Sequence, residues 1–223
     1  MIVADSFNWG TFPDAIRFIG DNPGLLWDKS LQQLGLSIAA LGIAVAIALP
    51  VGVVLGHYHR GSFVAISVAN VGRALPSLVL IAFGLLILGI GFWNNAAALI
   101  VLAVPPILTN AYFAVEEVDR NVVEAARGMG MRERDVLLRV ELPLAMPLIF
   151  AGVRIAAVFV VATATIAAIA GGGGLGDIIV NQATYRLAGV VAASLCVSVL
   201  AFGAAFVLDA ARKVLTRSFV SQD

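Results

Sequence analysis

The chain has 223 residues, 61% of them hydrophobic and 13% charged, with a mean hydropathy of +0.99. About a quarter of the residues in a water-soluble domain are charged, so this composition excludes one and points to a membrane. Fourteen basic side chains balance fourteen acidic ones, which excludes the single-sign field used by proteins that bind nucleic acid or polyanions.

The first sixteen residues contain Asp5 and Asp14 but no Lys or Arg, so the basic start of a cleavable signal peptide is missing and the mature chain is expected to be the whole chain. Residues 1–33 read as an extracytoplasmic segment. A hydrocarbon core of about 30 Å takes roughly 20 helical residues. Runs of about that length occur at 34–56, 74–91, 96–115, 147–170 and 188–208, and the fourth alone carries a charge, Arg154. The alternation of a barrel strand is absent, so the expected fold is an all-α integral membrane protein with five transmembrane helices.

In the first run Gly52 and Gly56 form a G-x-x-x-G, a weak signal for close helix packing. His57 and His59 follow it; a two-histidine metal site would need further ligands that this short loop lacks, and an interfacial turn is the better reading. Pro76 is expected to kink or start the second span. Arg73 and Arg154 lie where helices meet the surface, either snorkelling to headgroups or facing inward at a subunit contact or gate. Cys196, the single cysteine, lies in the fifth run and reads as a small buried hydrophobe, which excludes a disulfide framework.

Basic residues accumulate on the cytoplasmic side. An outside N-terminus places Arg60, Arg73, Arg120, Arg127, Arg132, Arg134, Arg139, Arg212, Lys213 and Arg217 inside, with Arg154 near the inner surface, and leaves only Arg17, Lys29 and Arg186 outside. The expected topology is therefore N-terminus out, C-terminus in. Trp93 and Tyr185 then fall at the outer interface, Tyr58 and Tyr112 near the inner one. Residues 209–223 form a cytoplasmic tail, and the largest polar segment, 116–143, is a cytoplasmic loop too short to be a catalytic domain.

Gly171, Gly173 and Gly176 satisfy G-x-G-x-x-G, but they follow a span rather than a strand and no acidic ribose partner lies about 20 residues on. Gly171, Gly172, Gly173, Gly174 and Gly176 instead read as an irregular outer turn that lets segments approach closely and could serve as a gate. No phosphate loop is present, so ATP energy must come from a partner. The spans hold no Asp, Glu or His, which argues against intramembrane hydrolysis, carboxylate proton relays and a stand-alone channel or secondary carrier.

The inner loop is the informative segment. Asp119 can cap a short helix, Ala125 and Ala126 keep one of its surfaces shallow, and Gly130 offers the left-handed turn that ends it. A second helix with Val136, Leu137 and Val140 on its apolar face leads to Pro143. The pattern is that of a small helix presented to a cytoplasmic partner.

Glu124-Ala125-Ala126, three residues, Gly130, nine residues, then Val140-x-Leu142-Pro143 resembles the EAA loop of binding-protein-dependent ABC importer permeases, with Val in place of Ile. The stretches 73–78, 105–112, 139–147, 151–154, 163–168 and 173–176 look like the glycine betaine/choline/carnitine branch of that family. The methionine permease is a more distant relative. The branch often has Pro where this chain has Arg120.

The resemblance implies a type I ABC importer permease fold in a bacterial inner membrane, with a non-hydrolysing role. Glu124, Ala125, Ala126, Arg127, Gly128, Gly130, Leu142 and Pro143 would couple to a cytoplasmic ATPase. Two such ATPases would carry the ATP and Mg, and this chain would bind no cofactor. A second permease, identical or homologous, and an extracytoplasmic solute-binding protein would complete the assembly; nucleic acid has no part in it. Quaternary amines are the implied cargo, with methionine or another amino acid as the alternative. Because the spans hold few aromatic residues other than Phe, a selective aromatic cage belongs on the binding protein. Asn110, Thr163 and Thr165 are candidates to line the passage, although each could equally bond to the preceding helical turn.

Overall fold

The structure, a computed structural model, describes residues 11–220; Asp5 and the rest of the first ten residues lie outside the described residues, as do 221–223. Among the described residues every regular element is a helix.

Helix α1 (Thr11–Asp21) precedes α2 (Pro23–His57), which opens on a proline, a residue suited to a first helical turn because its missing N–H has no partner there. Its 35 residues reach about 50 Å, well beyond one hydrocarbon thickness. The apolar run 34–56 is therefore the later part of a longer helix whose first turns carry Lys29, Gln32 and Gln33.

Pro76 divides the next stretch. It drives Leu75 out of the helical region to φ −80, ψ 116, so α3 (Ser62–Ala74) stops and α4 (Ser77–Leu88) starts afresh. Helix α5 (Phe92–Glu116) contains Pro105 and Pro106. Then come α6 (Arg120–Gly128), α7 (Glu133–Val136), a π-helical turn at Leu137–Glu141, and α8 (Leu142–Thr163). A 3₁₀ turn (Ile166–Ala170), α9 (Gly176–Val180) and α10 (Gln182–Val220) close the chain, α10 being broken at Arg186, where φ is 56.

Among the described residues four helical stretches are long and apolar enough to cross a membrane, namely Pro23–His57, Phe92–Glu116, Glu133–Thr163 and Gln182–Val214; α3 and α4 make a fifth if the broken pair counts as one span. Phe83, Leu86, Ile87, Phe202 and Phe206 are exposed, which hydrocarbon tolerates and water would not.

The chain divides into two compact units. The first comprises the described part of Met1–Ala40 together with Pro76–Leu99 and Phe159–Gly203. Its core joins Leu26, Leu175, Ile178, Ala193 and Val197, with a smaller cluster of Ile81, Ala98 and Ala170. Phe18 of α1 meets Tyr185 edge to face at 6.3 Å.

The second unit comprises Leu41–Leu75, Ile100–Val158 and the described part of Ala204–Asp223. Here α2 and α5 pack through Val53, Ala111, Ala114 and Val115, joined by Ala145 and Ile149 of α8. The two glycines of the G-x-x-x-G face this contact: a Cβ on Gly52 would lie 2.6 Å from the Leu108 carbonyl oxygen, and one on Gly56 2.6 Å from that of Tyr112. Only glycine permits backbones so close. Tyr112 is fully buried, and its hydroxyl donates to Glu116 Oε1 at 2.9 Å. The Arg73 side chain lies outside the described residues. Arg154 is exposed and lines a cavity of about 140 Å³ with Asp209 and Arg212.

Candidate functional site: a presented helix and a braced glycine turn

In the second unit, α6 is capped as its sequence anticipates. Asp119 Oδ1 accepts from the Asn121 backbone N–H at 2.9 Å, satisfying a donor that the helix leaves open. At the other end Gly130 takes φ +85, and the Met131 N–H reaches back to the Ala126 carbonyl at 3.2 Å. The helix is strongly two-faced. Val123 and Ala126 are buried against Val136, whereas Glu124, Ala125, Arg127 and Gly128 stand exposed. Of the Glu-Ala-Ala triplet, the last alanine anchors the helix and the first two residues are presented.

Arg127 grips Glu133 of α7 in a two-pronged bond, Nε to Oε1 at 3.0 Å and a terminal nitrogen to Oε2 at 2.9 Å. That bond raises the arginine pKa above its ordinary value and spans the glycine turn. Leu142 and Pro143 are half-buried at the start of α8, Leu142 against the α2–α5 core. Pro143 lacks an N–H and crowds the carbonyl four residues back, and the π-helical turn just before it gives the backbone that room.

The turn also re-aims Glu141, which is 2% exposed and hydrogen-bonded to His57 Nδ1 at 2.5 Å. Sequence reasoning missed this pair. His59 does occupy a turn, with φ 50, but His57 does not: it belongs to the last turn of α2 and is 5% exposed. The cause is that the helix entering the fourth apolar run begins at Glu133 rather than near Pro147 and carries a carboxylate inward. A signal was available in Glu141 itself, one turn after apolar Leu137 and flanked by Val140 and Leu142.

In the first unit the glycine-rich segment is a braced irregular turn. Gly171, Gly173 and Gly174 have φ of +70, +71 and +79, conformations that side chains resist. Gly172 lies over the Ala167 carbonyl, and a Cβ on Gly176 would sit 2.1 Å from the Thr165 carbonyl oxygen. The bracing comes from α2. Gln32 Oε1 accepts from the Gly174 N–H at 3.2 Å and Gln33 Oε1 from the Leu175 N–H at 3.1 Å. Gln33 Nε2 donates to the Val161 carbonyl at 2.9 Å, and Lys29 pairs with Asp177 at 2.5 Å. Asn95 adds a bond to the Ala170 carbonyl at 3.3 Å. None of these braces was identified from sequence, where Lys29, Gln32 and Gln33 fall at the end of the segment read as extracytoplasmic.

Thr163 is buried in this unit, and Thr165 Oγ1 donates to the Ala162 carbonyl at 2.7 Å. Asn110, in the second unit, donates to the Pro106 carbonyl at 2.7 Å and packs on Gly152. Thr165 and Asn110 thus spend a donor on the preceding turn.

Gln33→Leu is expected to leave two buried backbone groups unpaired, at about 1–3 kcal/mol each. The corresponding drop in melting temperature of the detergent-extracted protein checks it, as does faster proteolysis within 171–176.

Residues 44–220 match the family described as "binding-protein-dependent transport system inner membrane component". The chain belongs to this family. It is therefore a non-catalytic, multi-pass permease subunit of the bacterial inner membrane, working in a system that includes a binding protein. The permease is 35% identical over 202 residues to the choline transport system permease protein OpuBB of Bacillus subtilis, covering 90% of this chain and 93% of that one. It is 36% identical over 194 residues to the carnitine transport permease protein OpuCB of Listeria monocytogenes, covering 86% and 89%. Among solved structures, an inward-facing MetNI methionine ABC transporter superposes with a TM-score of 0.75 at 24% identity, covering 87% of this chain and 98% of that one. At that identity the likeness establishes the type I importer permease fold.

Proposed function

We propose that this permease carries osmoprotectants of the quaternary amine class (glycine betaine, choline, carnitine and proline betaine) into the cell. The observation that carries the reading is the full-length similarity to choline and carnitine permeases at 35–36% identity; the methionine transporter shares the fold at 24%.

In this reading the N-terminus faces outward and the C-terminus inward, supported by the gathering of eleven of the fourteen basic residues, Arg154 included, on the inner side. Helix α6 seats in a groove of a cytoplasmic ATPase. Glu124, Ala125, Arg127 and Gly128 form its contact surface, while Ala126, Gly130, Leu142 and Pro143 hold that surface to the span. Two ATPase subunits carry the ATP and Mg, and two permease subunits, identical or homologous, enclose the pathway. The glycine turn 171–176 faces the binding protein as the outer gate. Thr163, Thr165 and Asn110 offer weak polar contacts along the passage.

A clean deletion tests the substrate assignment. Uptake of at least one of the four quaternary amines is expected to fall to background while methionine uptake is unchanged. Loss of methionine uptake alone, or no change in any quaternary amine, would sink it.

A further inference from the structure

The second unit contains a polar chain that the coupling motif does not account for. It starts on the presented helix, where Arg127 holds Glu133 at 2.9 Å. Glu133 Oε2 lies 3.5 Å from His57 Nε2, and the other ring nitrogen of His57 is 2.5 Å from Glu141 Oε2. Four residues thus connect α6, α7, the last turn of α2 and the π-helical turn that feeds α8. Both nitrogens of one imidazole face carboxylates, and the inner pair is almost fully enclosed, His57 at 5% and Glu141 at 2% exposure.

Enclosure of this kind is a poor stabiliser. Removing two ionisable groups from water offsets most of their attraction, and apolar residues of similar volume often serve a fold equally well or better. What such a pair supplies instead is direction. The apolar contacts of α6 with the unit, Val123 and Ala126 on Val136, are non-directional, so its direction rests on its polar contacts, the Arg127–Glu133 pair and what lies behind it. A hydrogen bond weakens steeply when its angle changes. The π-helical turn strengthens the case, because it is an irregularity in an otherwise continuous helix and sits where Glu141 must turn inward.

We propose that His57 and Glu141 are a positioning pair, a buried hydrogen-bonded link through which displacement of α6 is delivered to the end of α2 and the start of α8. The link rests on the reading of α6 as the ATPase-coupling helix. It makes no contact with ATP or solute; it acts by holding three helical elements in one geometry while the presented helix moves.

The test uses the complete complex of permease, ATPase and binding protein in liposomes, and reads solute imported per ATP hydrolysed. In the double variant His57→Leu/Glu141→Leu, melting temperature and ATPase assembly are expected to stay near the parent values while that ratio falls about tenfold, in the range typical of lost allosteric coupling. Glu141→Gln keeps both a carbonyl acceptor and an amide donor opposite His57 Nδ1, so the hydrogen bond survives with either tautomer, and it is expected to hold the parent ratio. A double variant at the parent ratio overturns the proposal. So does one whose ratio falls only together with melting temperature or assembly, which marks a structural role, and so does a Glu141→Gln as uncoupled as the double variant. Gly130→Val, measured alongside, separates the two claims. If it uncouples while the double variant does not, the link alone fails; if it stays fully coupled, the coupling-helix reading fails and takes the link with it.

Discussion

Gly52→Leu should remove most of the folded permease from the membrane. A Cβ at this position meets the Leu108 carbonyl oxygen at 2.6 Å, the Ala111 Cβ at 2.8 Å and the Tyr112 backbone nitrogen at 3.2 Å. Two of those three atoms are backbone, so no rotamer change relieves the clash and α2 and α5 must separate. Ordinary overpacking costs about 1–3 kcal/mol even where side chains can adjust. A leucine driven into a backbone contact lies at or beyond the upper end, a large part of the roughly 5–15 kcal/mol that holds a folded domain together. Separation also opens the cluster of Val53, Ala111, Ala114 and Val115. The check is the monodisperse peak on size-exclusion chromatography after detergent extraction, with Gly42→Leu as the control. A Cβ at Gly42 meets nothing within 4 Å, so the control is expected to behave as the parent. Equal recovery of the two variants would contradict the α2–α5 contact.

The second large effect is functional. Gly130→Val is expected to insert and fold yet fail to convert ATP hydrolysis into transport. No atom lies within 4 Å of a Cβ at Gly130, so crowding is not the cause; the backbone is, because φ of +85 is a conformation that a β-branched residue strongly resists. Holding it there costs about 1–3 kcal/mol, equivalent to roughly 5- to 150-fold in an equilibrium. The strain is relieved by unwinding the end of α6, which breaks the Met131-to-Ala126 bond and displaces Arg127 from Glu133. The expected result is transport reduced by about tenfold or more with ATP hydrolysis persisting. Asparagine, which tolerates the left-handed region through its short polar side chain, should retain more coupling than valine. Normal solute-stimulated ATPase activity and transport in Gly130→Val would contradict the assignment of α6.

How far these sites could be seen in advance depended on the distance over which their causes act. The cap at Asp119 and the left-handed Gly130 belong to one stretch of a dozen residues, where local rules of helix starts and stops apply; the burial of Ala126 with Val123 against Val136 is not legible there, where Ala126 reads with Ala125 as presented surface. The break at Pro76 was equally local, since a proline constrains the residue before it. The glycines at 171–176 could be recognised as irregular backbone for the same reason. What braces them could not, because Gln33 is separated by 142 residues from Leu175 and by 128 from Val161. Nothing local distinguishes its amide from its polar neighbours; only the fold carries it into a buried contact.

Composition, the length of the apolar runs and the Glu-Ala-Ala loop were enough to establish from sequence a helical membrane permease with one presented helix, since hydropathy and helix signals are written along neighbouring residues. Tertiary structure alone decided that α2 and α5 touch through Gly52 and Gly56, that Gln33 clamps the glycine turn, and that His57 meets Glu141 across 84 residues. An apolar pattern reports that a face is buried but not against what. A carboxylate or an imidazole reads as exposed until its partner is known, because only a partner makes its burial affordable.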